Sequence, residues 1–157
     1  MENMAKPISN PNLMKAIGEM NANCTLETKA KVINEIVRSV FIAPVQITPE
    51  PVPTGDGKVR ISKDATIQFN VIQNNAGRIF FPAFTDWQEL WKWRKDPKQQ
   101  VFAVALDDYV RMLEKDDCKA CGFVINPFSS NVPVTKEMAL AIKKERDDLA
   151  ARQAKGE

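Results

Sequence analysis

Two cysteines, Cys118 and Cys121, stand at the one spacing in this chain that matches a known chemistry. Cys-x-x-Cys is the dithiol of redox exchangers and half of a four-ligand zinc site. The redox use wants the first thiol at a helix N-terminus, where the dipole favours thiolate. Here Asp116 and Asp117 precede the pair, and an expected helix ends just before it. That context works against a reactive thiolate, and Cys24 adds at most one further zinc ligand. The competing reading is two ordinary thiols in a loop. Histidine is absent. Its absence excludes Ser-His-Asp and Cys-His catalysis and any zinc site that needs imidazole. No carboxylate pair has a spacing that specifies acid–base work. The expectation is therefore a protein without enzymatic activity and without a cofactor.

The remaining candidates are binding residues. Trp87, Trp91 and Trp93 crowd one short segment. On a helix, Trp87 and Trp91 share a face with Leu90 near it, and Trp93 points elsewhere. Trp87 and Leu90 are expected in the core, leaving Trp91 or Trp93 as an aromatic anchor for a partner. Arg94 and Lys95 beside them suit an anion or a stacked ring, and the plainer reading is a solvated charge pair. Thr85 and Asn126 fall at the ends of two expected strands, where ligands collect in open sheets. The plainer roles are N-cap for Thr85 and turn former for Asn126, ahead of Pro127. Asp107 reads as a helix cap.

Several partner classes are disfavoured by composition. Among 157 residues, 22 Lys and Arg balance 20 Asp and Glu, for a net charge of +2. No basic stripe suggests nucleic acid. No apolar run approaches a membrane span, and residues 1–12 lack a secretory apolar segment. A cytoplasmic location is expected, with no membrane or nucleic-acid partner. A homo-oligomer is compatible with these features. Three cysteines in a reducing compartment do not make a disulfide framework.

The elements that must position these residues can be read from periodicity and turn chemistry. Asn10-Pro11 opens a helix bearing Leu13, Ile17 and Met20. Thr25 caps a second, with Leu26, Ala30, Ile33, Ile36 and Val37 as its core stripe. Residues 40–45 read as a buried strand. Residues 48–58, rich in proline and glycine, read as an exposed excursion. Residues 66–72 and 78–84 read as one hairpin around a 74–77 turn, with Pro82 near a strand end or edge. A helix over 86–95, capped by Thr85 with Gln88 in capping-box position, stops before Pro97. A strand over 100–105, a helix through Leu113, a strand over 122–125 and a final helix capped by Thr135 complete the chain. The last helix carries Met138, Leu140, Ile142 and Leu149. The fold class is α+β, with a mixed or antiparallel sheet of about five strands and flanking helices. Residues 1–10 are expected as a flexible tail, 11–150 as a single domain and 151–157 as a frayed end.

Three segments in this order carry a family resemblance: Phe81-Pro82-Ala83-Phe84-Thr85-Asp86-Trp87-Gln88-Glu89-Leu90, the spaced Trp91 or Trp93, and Gly122-Phe123-Val124-Ile125-Asn126-Pro127-Phe128. Together with an early Asn12-Leu13 and Ala16, they resemble the N-terminal domain of the SseB (enhanced serine sensitivity protein) family, from about Asn12 to Ala141. The resemblance implies a compact bacterial α+β domain and no established reaction or catalytic residue. The resulting expectation is a non-enzymatic module that binds a protein or small ligand through Thr85, Trp91, Trp93, Arg94 and Asn126. The alternative is a thiol-based redox or metal-binding protein using Cys118 and Cys121.

Overall fold

The computed structural model describes residues 2–3, 8–49, 51–56, 58–96 and 98–154. Its elements are β1 (Glu2–Asn3), α1 (Pro11–Ala22), α2 (Leu26–Arg38), β2 (Val40–Thr48), β3 (Val52–Pro53), β4 (Val59–Arg60), β5 (Thr66–Phe69), β6 (Ile72–Gln73), β7 (Ile79–Ala83), α3 (Trp87–Trp93), β8 (Gln100–Ala105), α4 (Leu106–Leu113), β9 (Gly122–Ile125), β10 (Val132–Thr135) and α5 (Lys136–Ala154). The class is α+β, as expected. The strands form two four-stranded sheets, β1-β8-β2-β5 and β10-β9-β7-β6, and a two-stranded ribbon of β3 and β4. This exceeds the single sheet of about five strands expected from sequence.

One strand joins the two sheets. Ile42 in β2 exchanges backbone hydrogen bonds of 2.8 and 3.1 Å with Phe84, just past the end of β7. On the opposite edge β2 pairs with β8 from Val40 to Val45, and further along its first edge it pairs with β5 from Val45 to Thr48. Two prolines fall where the edges of β2 and β7 pass from one partner to the next. Pro44 lies between the Phe84 bridge and β5, and Pro82 lies between β6 and that same bridge. Neither position needs a donated N–H, so the ladder tolerates both. β7 and β9 run parallel, a crossover made through α3, β8 and α4.

The expected hairpin over 66–84 is corrected. The apolar run 66–72 splits at Asn70: its first half pairs with β2, and only Ile72 and Gln73 pair with β7. The 74–77 turn forms as expected, with Gly77 at φ +81° and Asn74 Oδ1 accepting from Ala76 and Arg78. The ends of the chain also differ from expectation. β10 and β1 had no clear sequence signal, each being short and relying on a partner strand. Helix α5 runs to Ala154, so the fraying expected from 151 does not begin there. Residues 155–157, Glu50, Gly57 and Pro97 lie outside the described residues, as do Met1 and residues 4–7 of the expected N-terminal tail.

β2 is buried on both faces. Phe41, Ala43, Val45 and Ile47 face a main core shared with α1, α2, α4 and α5, while Ile42 faces a smaller core with Phe84, Leu90 and Val101 under α3. Tyr109 is the centre of the larger cluster, stacked on Phe123 at 4.5 Å and edge-on to Phe41 at 6.3 Å. Two helix stripes are narrower than expected. On α2, Val32 and Ile36 are buried while Leu26 and Ala30 are exposed; on α5, Ala139 and Ile142 are buried while Met138 and Leu149 are exposed. α2 packs chiefly on α1 and α5, and α5 on α4, β9 and β10, so the apolar residues beyond those contacts stay uncovered. Gly122 pairs with Thr135 where β9 meets β10. A Cβ there would collide with the Val134 carbonyl oxygen and approach the Thr135 Cα to 2.7 Å.

Candidate functional site

The strand ends do converge. β7 and β9 are parallel neighbours, so Thr85 and Asn126 leave the sheet side by side at their C-terminal ends. Asn126 adopts φ +49°, the left-handed region that asparagine tolerates better than most residues. That turn points its carboxamide back at Thr85. Asn126 Oδ1 accepts the Thr85 N–H at 3.0 Å, and Asn126 Nδ2 donates to Thr85 Oγ1 at 3.0 Å. Met14 Sδ lies 3.2 Å from Asn126 Nδ2. The Thr85 carbonyl accepts from Asn10 Nδ2 at 2.9 Å, and the same nitrogen donates to Val40 O. Both Thr85 and Asn126 are fully buried. Their polar groups are spent on one another, which makes this junction a lock between β7, β9 and α1.

The cap of α3 is corrected by the same geometry. Asp86, not Thr85, is the N-cap, its Oδ1 accepting the Glu89 N–H at 2.9 Å. Thr85 is drawn inward by Asn126, which passes the capping role to the next side chain. Asp86→Ala should therefore cost about 1 kcal/mol in a denaturant melt. An unchanged midpoint would show that the cap contributes nothing. Asp107 does not cap α4 either. Asp108 does so, through Oδ2 to the Ala105 N–H at 3.0 Å, while Asp107 ties α4 to α5 through Arg146 at 2.8 Å. Arg146 also holds the Asp147 carboxyl below its ordinary range.

Helix α3 separates its tryptophans. Leu90 is buried and Trp87 only half-buried, its ring 6.4 Å from that of Trp91. Trp91 is 47% exposed. Trp93 turns the other way and stacks on Phe84 at 6.1 Å. The Arg94 guanidinium lies over the Trp93 ring, 4.3 Å from its centre, and donates through Nη1 to Gln99 Oε1 at 3.1 Å. Glu89 is buried, paired with Lys92 at 2.6 Å and accepting from Ser129 Oγ. That contact ties α3 to the segment after β9.

Arg94 borders a cleft of about 600 Å³ over the face of β2. β2 contributes the stretch from Val45 to Thr48 to its lining, and Pro51, Pro53, Asn70 and the segment from Arg94 to Gln100 contribute the rest, through Arg94, Asp96, Lys98, Gln99 and Gln100. Gln99 Nε2 donates to the carbonyls of Val45 and Gln100, both at 2.9 Å, so the wall is pinned to the strand. Of the residues singled out in the sequence, only Arg94 lines this cleft, with Trp93 beneath it. The Gln46, Asn70, Lys98 and Gln99 contributions were not legible, because scattered polar residues carry no period and no motif.

Cys118 and Cys121 lie half-buried on the approach to β9, and Cys24 is exposed. The backbone around Cys121 is fully engaged: its N–H donates to Ile79 O and its carbonyl accepts from Lys136 N. Among the described residues no three His, Cys, Asp or Glu side chains gather in a way that would hold a metal ion. No helix among them is long and apolar enough to cross a membrane.

An α+β domain of two four-stranded sheets bridged by one strand, with a Thr–Asn lock where its parallel pair ends, is the class these features define. The profile of the SseB protein N-terminal domain matches residues 13–139, and the chain belongs to that family. The match contains both the lock and the cleft. No curated protein and no solved structure was found to match the chain.

Proposed function

We propose that this SseB-family domain is a non-enzymatic binding module that takes its protein or small ligand at the cleft beside the end of α3. The observation that carries the reading is Arg94. Its guanidinium is stacked on Trp93 and tethered by Gln99 at the wall of the cleft. A side chain already held in place loses less entropy on binding than a free one. The cleft volume is in the range of small-ligand sites. Thr85 and Asn126 support the site indirectly, by fixing the strand ends from which α3 departs. Trp91, exposed on the far face of α3, is the place for an additional protein contact.

A thermal-shift screen of a mixed metabolite and peptide library tests this on the wild type and on Arg94→Ala. A true ligand present at a hundred times its Kd adds about 2.7 kcal/mol of stability, or roughly 5–10 °C in Tm. The expected result is a shift in the wild type that is lost in Arg94→Ala, with the compound recovered unchanged. Turnover of the compound, or ligands whose shift is indifferent to Arg94, would overturn the reading.

A further inference from the structure

We infer that the cleft is built for a small organic anion that also carries a hydrogen-bond donor. The inference rests on the binding-module reading above and names the ligand of that site. The anion half comes from the charged residues. Among the described lining residues, Arg94 and Lys98 stand against one carboxylate, Asp96. Asp96 is partly spent already, its Oδ1 accepting the Lys98 backbone N–H at 2.9 Å. Among the described residues, neither Arg94 nor Lys98 enters an ion pair, and the one side-chain hydrogen bond of Arg94 is to Gln99. A guanidinium held over an indole and tethered by Gln99 presents its remaining donors in a planar fork, the geometry that suits carboxylate or phosphate oxygens.

The donor half comes from Asn70. Its backbone is fixed by an N–H bond to Pro44 O at 3.0 Å. Asn70 is among the residues that line the cleft, as Arg94 is. Asn70 Oδ1 is the buried side-chain polar atom that, among the described residues, lacks a hydrogen-bond partner. A buried acceptor without a donor is costly, and the terminal torsion of asparagine is soft, so a small rotation offers this oxygen to a donor in the cleft. Gln46, Thr48, Gln99 and Gln100 add polar groups to the lining, and Val45, Ile47, Pro51 and Pro53 add apolar ones, so the cleft offers both kinds of surface. A compact anion with a hydroxyl or amino group opposite its charge meets each feature.

Carboxylate and phosphate share this chemistry, and paired probes separate them. Dissociation constants can be read from ¹⁵N–¹H spectra for acetate against glycolate, and for methyl phosphate against glycerol 3-phosphate. At about pH 8 the phosphate monoesters are doubly ionised and methyl phosphate has no donor. The donor-bearing member of at least one pair should bind at least tenfold more tightly to the wild type. Asn70→Ala should erase that preference while keeping the weaker binding. Arg94→Ala with Lys98→Ala should abolish binding of both members. Asn70→Leu, close to asparagine in shape, serves if Asn70→Ala does not fold. Equal affinity within both pairs, or a preference that survives loss of the Asn70 amide, overturns the inference. Arg94-dependent binding without preference would sink this inference and leave the binding module standing. Absence of binding by all four probes sinks it too, and the library screen then decides the broader reading separately.

Discussion

Asn126→Ala should destabilise the domain by about 2–5 kcal/mol, far beyond what an ordinary turn asparagine contributes. Two costs add. Alanine at φ +49° pays about 1–2 kcal/mol for the left-handed backbone. Loss of the carboxamide leaves the Thr85 N–H and hydroxyl, both buried, without their main partner, for about 1–3 kcal/mol more. Asn126→Gly separates the two. Glycine accepts the backbone conformation and still loses the amide, so it should recover the first cost and keep the second. Denaturant melts of both variants check this directly. Equal losses would mean that the backbone conformation costs nothing here. Two near-neutral variants would mean that the β7–β9 lock does not hold the strand ends, and that α3 is anchored by its apolar contacts alone.

Tyr109→Ala should cost roughly 3–5 kcal/mol, the loss of a fully buried aromatic at the centre of the main core. Tyr109→Phe keeps the stack on Phe123 and removes only the hydroxyl that donates to Pro82 O at 3.2 Å. It should cost about 1 kcal/mol by stranding a buried carbonyl. The same hydroxyl makes a pH prediction. Burial pushes the Tyr109 phenol well above its ordinary range, and the Asp108 charge adds to it. The folded state therefore keeps the proton after the unfolded chain has released it. Stability is intact below the unfolded value near pH 10 and falls above it, by up to about 1.4 kcal/mol per pH unit. Tyr109 is the single tyrosine of the chain, so phenolate absorbance reports it alone. The absorbance should rise only as the protein unfolds, and Tyr109→Phe should remove this part of the alkaline loss. A phenolate signal from folded protein below pH 10 would show the ring to be reachable by water.

Local signals in the sequence determined the elements where backbone and side chain agree. Thr25 and Thr28 form the reciprocal cap that opens α2, Pro11 opens α1, the 74–77 turn closes on Gly77, and residues 100–105 and 122–125 are strands. Caps and turns are decided within a few residues, so neighbours in the chain are enough to specify them. The absence of histidine likewise excluded whole classes of chemistry from the sequence alone.

Pairing and burial were decided only by the tertiary structure. The run 66–72 has the composition of one strand, yet Asn70 divides it between two sheets because β2 offers an open edge beyond the Phe84 bridge. Thr85 has the look of an N-cap, yet the amide of Asn126, 41 residues away, draws it into the core and leaves the cap to Asp86. Leu26 and Met138 fit an apolar stripe and remain exposed, because a stripe is buried only where another element reaches it. The cleft is the clearest case. Gln46, Asn70, Arg94 and Lys98 come from three separate stretches of chain. Each is unremarkable beside its sequence neighbours, and only the pairing of β2 with β5 on one edge and β8 on the other brings their stretches around one volume.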